Sequence, residues 1–331
     1  MLLILGRRLL GALPVLIALV LVVFVLQKVA PVDPVVALVG EKAPPEVYEA
    51  ARQELGLDKP VPVQFLTYLG NAVQGDLGTS TVTRTLVASD IVKFLPVTLE
   101  LVFMALVLIA LIGFFLGLAT ARQWRGSGVL RVVMVSGASV PVFLACLIAM
   151  LVFYRWLDLL PVTGHTSAYD APSGPTGFLL VDSLLAGRPA LFLDALEHLL
   201  LPAFCIAIGP AVAVGRVLRS SLEGTLKAEY TRTARAKGLS GTQVLIKHAL
   251  RNALGPVLAL MGLQLAGMIG NSILVEAIFA RPGIGLYIAQ SIGRGDFNTI
   301  AGITLIVGFL YVMANIVVDV LQAAADPRIA V

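Results

Sequence analysis

The sequence predicts an all-α polytopic membrane protein with six transmembrane helices, and three observations carry that prediction. Hydrophobic residues make up 58% of the 331-residue chain and charged residues 13%, about half the charged share of a soluble domain. Mean hydropathy is +0.93. Six runs free of Asp, Glu, Lys and Arg recur along the chain. No single apolar core could absorb so much Leu, Val and Ala, so a bilayer has to act as the solvent.

The first run lies between Arg8 and Lys28. The others lie between Glu100 and Arg122, Arg131 and Arg155, His198 and Arg216, Arg251 and Glu276, and Asp296 and Asp319. Each is about 17 to 24 residues, enough at 1.5 Å per residue to cross about 30 Å of hydrocarbon. Beginning at Leu9, the first is too long for a secretory h-region and reads as an uncleaved anchor. Lys and Arg concentrate in short cytoplasmic loops. Placing the N-terminus inside collects Arg7, Arg8, Arg122, Arg125, Arg131, the basic 216–251 segment and Arg328 on one side. Acids from Asp33 and Glu41 through Asp170 and Asp194 to Asp296 then fall on the other, giving an N-in, C-in orientation.

Residues 1–29 are therefore the N-terminus and first span, 30–96 an extracytoplasmic region, 97–321 the five-helix core and 322–331 a cytoplasmic tail. In the 30–96 region, "PPEVYEAARQELG" has the Pro start, acidic first turn and Gly stop of a short helix. An outer loop at 154–197 is rich in Pro, Gly, Ser and Asp and predicts a long, turn-rich excursion. A brief outer loop from 281 begins with "RPGIG".

Several function classes drop out. Cys146 and Cys205 both sit inside apolar runs and read as packing residues, without a disulfide or zinc spacing. His165, His198 and His248 are scattered, form no H-E-x-x-H and predict no metal site. The net charge of +4 is a matter of topology, so no nucleic-acid partner is expected, and membrane lipid is. No inverted repeat or intramembrane charge marks a secondary transporter, the alternative from another class. No G-x-x-x-x-G-K-[ST] phosphate cradle is present, so the chain is not an ATP-hydrolysing component and no catalytic residue is assigned.

The most basic stretch is "EYTRTARAKGLSGTQVLIKHALRN", inside a predicted cytoplasmic loop at 219–252. Leu222, Leu226, Tyr230 and Ala234 recur every four residues, predicting an amphipathic helix from Ser221 to Lys237. Gly238 stops it, and Ser240 or Thr242 caps a second helix running through Gln243 to Asn252. A lipid-lying helix needs no such sharp turn, so the two-helix shape favours a groove on a soluble partner.

Here the sequence resembles a known family. "RTARAKGL" followed by "HALRNA" looks like the EAA-type coupling loop of ABC importer permeases, in the dipeptide and oligopeptide permease variant. The resemblance covers nearly the whole chain, through "VDPV", "LGLDKPVPVQFLTYLGNAVQGDLGTS", "LPVTLEL", "LLPVTG", "HLLLPA", "RVLRSSLE", "VEAIFARPGIG" and "DPRI" in order. "APSGPTGFLLVDSLL" resembles the peptide branch in particular. Three positions depart from the pattern. Val32 replaces a glycine in the first outer motif, Arg251 replaces the proline of the broader importer motif, and Asn298 stands where relatives often have proline.

The resemblance implies a non-hydrolysing subunit of an ATP-driven peptide importer in the bacterial inner membrane. Its implied partners are a second, homologous permease, two cytoplasmic ATPase subunits that use ATP and Mg, and an extracytoplasmic peptide-binding protein. Close relatives of this type carry nickel or glutathione. Glu229, Tyr230, Arg232, Thr233, Ala234, Arg235, Gly238 and Leu239 would engage an ATPase groove, with Ala234 and Ala236 allowing close approach. Gln264, Asn271 and Asn315 would line the path, since polar side chains in a span tend to face the bundle. Phe279, Pro282, Gly283 and Gly285 would shape an outer gate, where the Pro-Gly pair predicts a turn and Glu276 is expected to pair with Arg281. The 162–197 loop would face the binding protein, its tip reaching the cleft as a scoop.

Overall fold

The computed structural model describes residues 2–29, 34–40, 42–121, 127–138, 140–169 and 174–325. Arg122, Arg125, Arg328, the turn at Pro31-Val32-Asp33 and the loop residues Asp170 and Ser173 lie outside them.

The chain enters through α1 (Leu2–Val29), then α2 (Pro34–Val39), α3 (Pro45–Glu54) and α4 (Val61–Val73). Helix α3 starts and stops as the sequence predicts, with Pro at its first turn, Glu46 beside it and Gly56 in the left-handed region at φ +66°. The second predicted span is α5 (Val87–Ala121), which begins well before the apolar run and carries Pro96 within it.

The third predicted span is not one helix. It consists of α6 (Ser127–Ala138) and α7 (Val142–Ala149), the latter running into a π-turn at Met150–Trp156. Pro141 is the N-cap of α7 at ψ 144°. Proline lacks an N–H and pushes the residue before it out of the helical region, so the helix restarts there.

The turn-rich excursion expected at 154–197 is also more ordered than its composition suggests. It contains α8 (Leu179–Leu185), and its last residues already belong to α9 (Pro189–Lys227), a helix of 39 residues. Helix α9 passes through Pro202 and Pro210. After it come α10 (Glu229–Ala236) and the short α11 (Gly241–Gln243). A π-turn at Val244–Leu250 leads directly into α12 (Arg251–Ile278), and α13 (Ile284–Arg294) and α14 (Phe297–Ala325) complete the chain.

Among the described residues, five helices are long and apolar enough to cross a membrane, and Val142–Trp156 is a shorter apolar helix. The core forms where α5, α7, α9 and α12 meet, around Leu101, Ile109, Cys146, Cys205, Ile206, Leu218 and Met268. Both cysteines are buried free thiols in that core, as expected of packing residues. Gly113 and Gly117 let α5 and α9 touch. A Cβ at Gly113 would lie 2.7 Å from Val214 Cγ1, and one at Gly117 2.7 Å from Leu218 Cδ2. This is the small-residue spacing by which membrane helices bring their backbones close.

Candidate functional site

Two clusters stand at opposite ends of the long helices. The first is the knob between α9 and α12. The amphipathic helix expected from Ser221 to Lys237 breaks at Ala228, whose backbone is extended at φ −68°, ψ 150°. Thr231 explains the break. Its buried hydroxyl donates toward the carbonyls at the end of α9, 2.7 Å from Ala228 O and 3.0 Å from Leu226 O. With the helix interrupted, Thr231 and Ala234 turn inward and Tyr230 turns out, 43% exposed.

Glu229, Arg232, Thr233 and Arg235 are exposed beside Tyr230, together with Gly238, and Leu239 is half-buried. Ala234 packs inside the chain, while Ala236 remains on the surface. Gly238 takes φ +85°, a conformation glycine adopts without a Cβ penalty. Ser240 then caps α11 with a reciprocal box: Gln243 N–H donates to Ser240 Oγ at 3.3 Å, and Ser240 N–H to Gln243 Oε1 at 3.0 Å. The result is a compact, cation-rich turn of helix held from both sides by long apolar helices.

The second cluster lies where α12 turns into α13. The turn differs from the Pro-Gly reversal that the sequence suggests. Ala280 carries the positive φ, at 48°, and Gly283 N–H donates to Arg281 O at 2.8 Å around Pro282, a three-residue turn. Gly283 is the N-cap of α13 with φ −106°. Its hydrogen matters for packing, since a Cβ would come within 2.4 Å of Glu276 Oε2.

The expected pairing of Glu276 with Arg281 is replaced by a longer-range one. Arg281 Nη2 donates to Glu100 Oε2 of α5 at 3.1 Å, with side chains 1% and 7% exposed. Glu276 instead accepts Gly285 N–H on Oε2 at 2.6 Å. Glu276 and Arg281 are five positions apart, but Arg281 N–H bonds Glu276 O at 2.9 Å. That tight turn sends the guanidinium toward α5. Burial lowers the Arg281 pKa while Glu100 and Glu276 oppose the shift, and an arginine starts high enough to stay a cation.

The long loop meets the same place. Leu180 N–H donates to Glu100 Oε1 at 2.8 Å, Gly164 N–H to Phe279 O at 3.0 Å and Ile284 N–H to Thr98 Oγ1 at 2.9 Å. Phe279 is fully buried, and Pro282 faces an open cleft of about 540 Å³ with Lys93, His165, Thr176 and Asp182. Asp182 is not a free acid there, because Oδ1 accepts Thr176 N–H and Oγ1 at 3.2 and 2.8 Å. Burial, then the nearby Arg281 and His198, hold the His165 pKa below the ordinary histidine value against the pull of Asp194. Asn298, the departure from proline, donates to Thr79 O at 3.0 Å and so ties α14 to the segment between α4 and α5.

Glu100, Thr98 and Leu180 had no part in the sequence-level site. One signal was available: Glu100 is an ionisable residue at the edge of an apolar run, and such residues usually have a partner. Of the polar span residues, Gln264 and Asn271 are half-buried on α12. Asn315 donates to Tyr311 O of its own helix at 2.9 Å. Among the described residues no hydrogen bond joins the three.

Residues 109–331 match the family described as the binding-protein-dependent transport system inner membrane component, and residues 1–102 match its N-terminal family. The chain belongs to this permease family. The permease is 39% identical over 330 residues to the probable D,D-dipeptide transport system permease of Escherichia coli, covering 98% of this chain and 97% of the relative. It is 39% identical over 329 residues to the di/tripeptide transport system permease of Pseudomonas aeruginosa, with the same coverage. A glutathione transport system permease of Salmonella paratyphi A is 36% identical over 327 residues, again covering 98% of this chain and 97% of the relative. The permease is thus a multi-pass membrane protein of a transport system that works with a binding protein.

Proposed function

We propose that this permease is the membrane subunit of an ATP-driven importer of dipeptides and short oligopeptides. The observation that carries the proposal is the knob, an exposed basic helix ended by left-handed Gly238 and held between two long apolar helices, in a chain whose full-length relatives are named for peptide transport. Its exposed face of Glu229, Tyr230, Arg232, Thr233 and Arg235 sits in a groove on a cytoplasmic ATPase. Two such ATPases use ATP and Mg, and a second permease completes the path. Nothing catalytic is asked of this chain.

With the N-terminus inside, the knob faces the cytoplasm and the Glu100–Arg281 cluster faces outward. Rigid-body movement of the knob then shifts α9 and α12 together, since both leave it without a flexible linker. Half-buried Gln264 and Asn271 offer amide groups to a peptide backbone without selecting charge. The 540 Å³ cleft beside Pro282 is large enough for a small ligand and receives peptide as the binding protein releases it, with the 162–197 loop as the delivering element. Glutathione, itself a small peptide, is the second cargo supported by a relative.

The test is reconstitution of the permease with its co-assembled subunits in lipid. Dipeptide-loaded binding protein is expected to stimulate ATP hydrolysis and drive uptake. Uptake that proceeds without nucleotide rejects the proposal, and stimulation by glutathione but not by dipeptides reassigns the cargo.

A further inference from the structure

One side chain joins three segments that are far apart in sequence. Glu100 accepts Leu180 N–H on one oxygen and Arg281 Nη2 on the other. It therefore connects α5, the long loop before α9 and the turn between α12 and α13. Neither bond is made in water, as Glu100 is 7% exposed and Arg281 1%. Beside this bridge, Arg281 Nε and Nη1 and Glu276 Oε1 are buried without a hydrogen-bond partner among the described residues.

Buried polar atoms are rarely left this way. A core built only for stability would satisfy Arg281 through both edges of its guanidinium, or would hold apolar side chains of the same volume. Here the cation is held through a single nitrogen, and Glu276, near enough to act on its charge, keeps one oxygen without a partner. A second pairing is close at hand, and an arrangement with two nearby pairings suits an element that moves.

We propose that Glu100 is a positioning residue for transport, fastening the 279–285 turn to the 174–185 segment so that displacement of that segment moves the turn. It touches no cargo and acts through Arg281. Thr98, two residues before Glu100 on α5, steadies the same turn through Ile284 N–H. Displacing the loop weakens the Leu180 bond, draws Glu100 off Arg281 and leaves Arg281 to take up Glu276. The inference rests on the importer proposal, in which the loop meets the binding protein and the knob meets an ATPase.

The decisive comparison uses the whole transporter in lipid, reading thermal midpoint, basal ATP hydrolysis and the stimulation given by loaded binding protein. Glu100→Gln keeps an acceptor for Leu180 and removes the charge facing Arg281. The pair Glu100→Gln with Arg281→Met removes both charges of the bridge together, leaving Glu276, which keeps its bond from Gly285 N–H, as the one buried acid of the cluster. The double variant is expected to keep the wild-type midpoint and basal hydrolysis while stimulation falls at least about fivefold, the lower end of coupling between distinct sites. Full stimulation in a stable double variant overturns the proposal, because it leaves Glu100 a purely structural part. Should the double variant not assemble, Thr98→Val decides by itself. It cuts the Ile284 bond at nearly constant shape, and Thr98→Ser keeps that bond, so a fall in stimulation in the valine variant that serine restores supports the proposal, while unchanged stimulation, or a fall that serine does not restore, overturns it. Absence of any stimulation in the wild-type complex rejects the importer proposal instead, and needs no variant to detect.

Discussion

At Gly285 a single added carbon would lie 2.4 Å from the Ile273 Cα and 2.8 Å from Glu276 Oε2. Backbone cannot move aside as a side-chain tip can, so Gly285→Ala is expected to destabilise the permease by about 1–3 kcal/mol, the usual range for overpacking. Gly293 in the same helix meets nothing within 4 Å, and Gly293→Ala should be neutral or gain up to about 1 kcal/mol of helix propensity. Thermal midpoints of the two variants side by side check both. His165 makes a prediction with a defined sign. Its folded pKa lies below the unfolded value of about 6.5, so the unfolded chain takes up the proton first. Stability is full above about pH 6.5 and is lost as the pH falls through the folded pKa. The groups around it are Arg281 and His198, which disfavour its charge, and Asp194, which favours it. His165→Gln should flatten this acid limb of the midpoint-against-pH curve.

The knob is the element whose behaviour depends most on one dihedral angle. Gly238 has open space around it and φ +85°, so a side chain there meets a conformational penalty rather than a clash. Gly238→Val should strain the turn by about 1–3 kcal/mol and abolish binding-protein-stimulated hydrolysis. Gly238→Asn, which tolerates left-handed backbone better, should retain a measurable part of it. Much of this element was legible beforehand, because glycine stops and Ser-x-x-Gln caps are local chemistry written in adjacent residues. The break at Ala228 was not. Leu222, Leu226, Tyr230 and Ala234 keep an unbroken helical period, and only the Thr231 hydroxyl, folded back onto the end of α9, reveals why the helix stops. The Glu100–Arg281 pair was hidden for a related reason. A partner 181 residues away leaves no periodic trace, whereas Glu276, five positions from Arg281, supplies an obvious but incorrect one. Pro141 was readable in principle, since proline within an apolar run warns of an interruption.

For the whole molecule, the orientation can be tested without disturbing the fold. Cys146 and Cys205 are fully buried, so a cysteine placed on the surface reports alone. In intact cells a membrane-impermeant thiol reagent should label Lys59→Cys and should reach Lys227→Cys only after the membrane is opened. The reverse pattern would put the knob outside the cell, away from any nucleotide. The six charge-free runs predict six crossings, and among the described residues five of those runs coincide with long apolar helices. The third differs because its length is divided between α6, α7 and a π-turn, a division that hydropathy averaged over a window cannot see.

Helix α9 has a mechanical consequence. Its 39 residues measure about 59 Å at 1.5 Å each, nearly twice the thickness of the hydrocarbon they cross. One end carries Asp194 and His198 beside the long loop, and the other stops at the knob. If the shaft pivots by ten degrees about one tip, the opposite tip sweeps about 10 Å. A rotation at one face would thereby be felt across the full width of the bilayer at the other, with Pro202 and Pro210 as places along the shaft where some of it can be lost as bending.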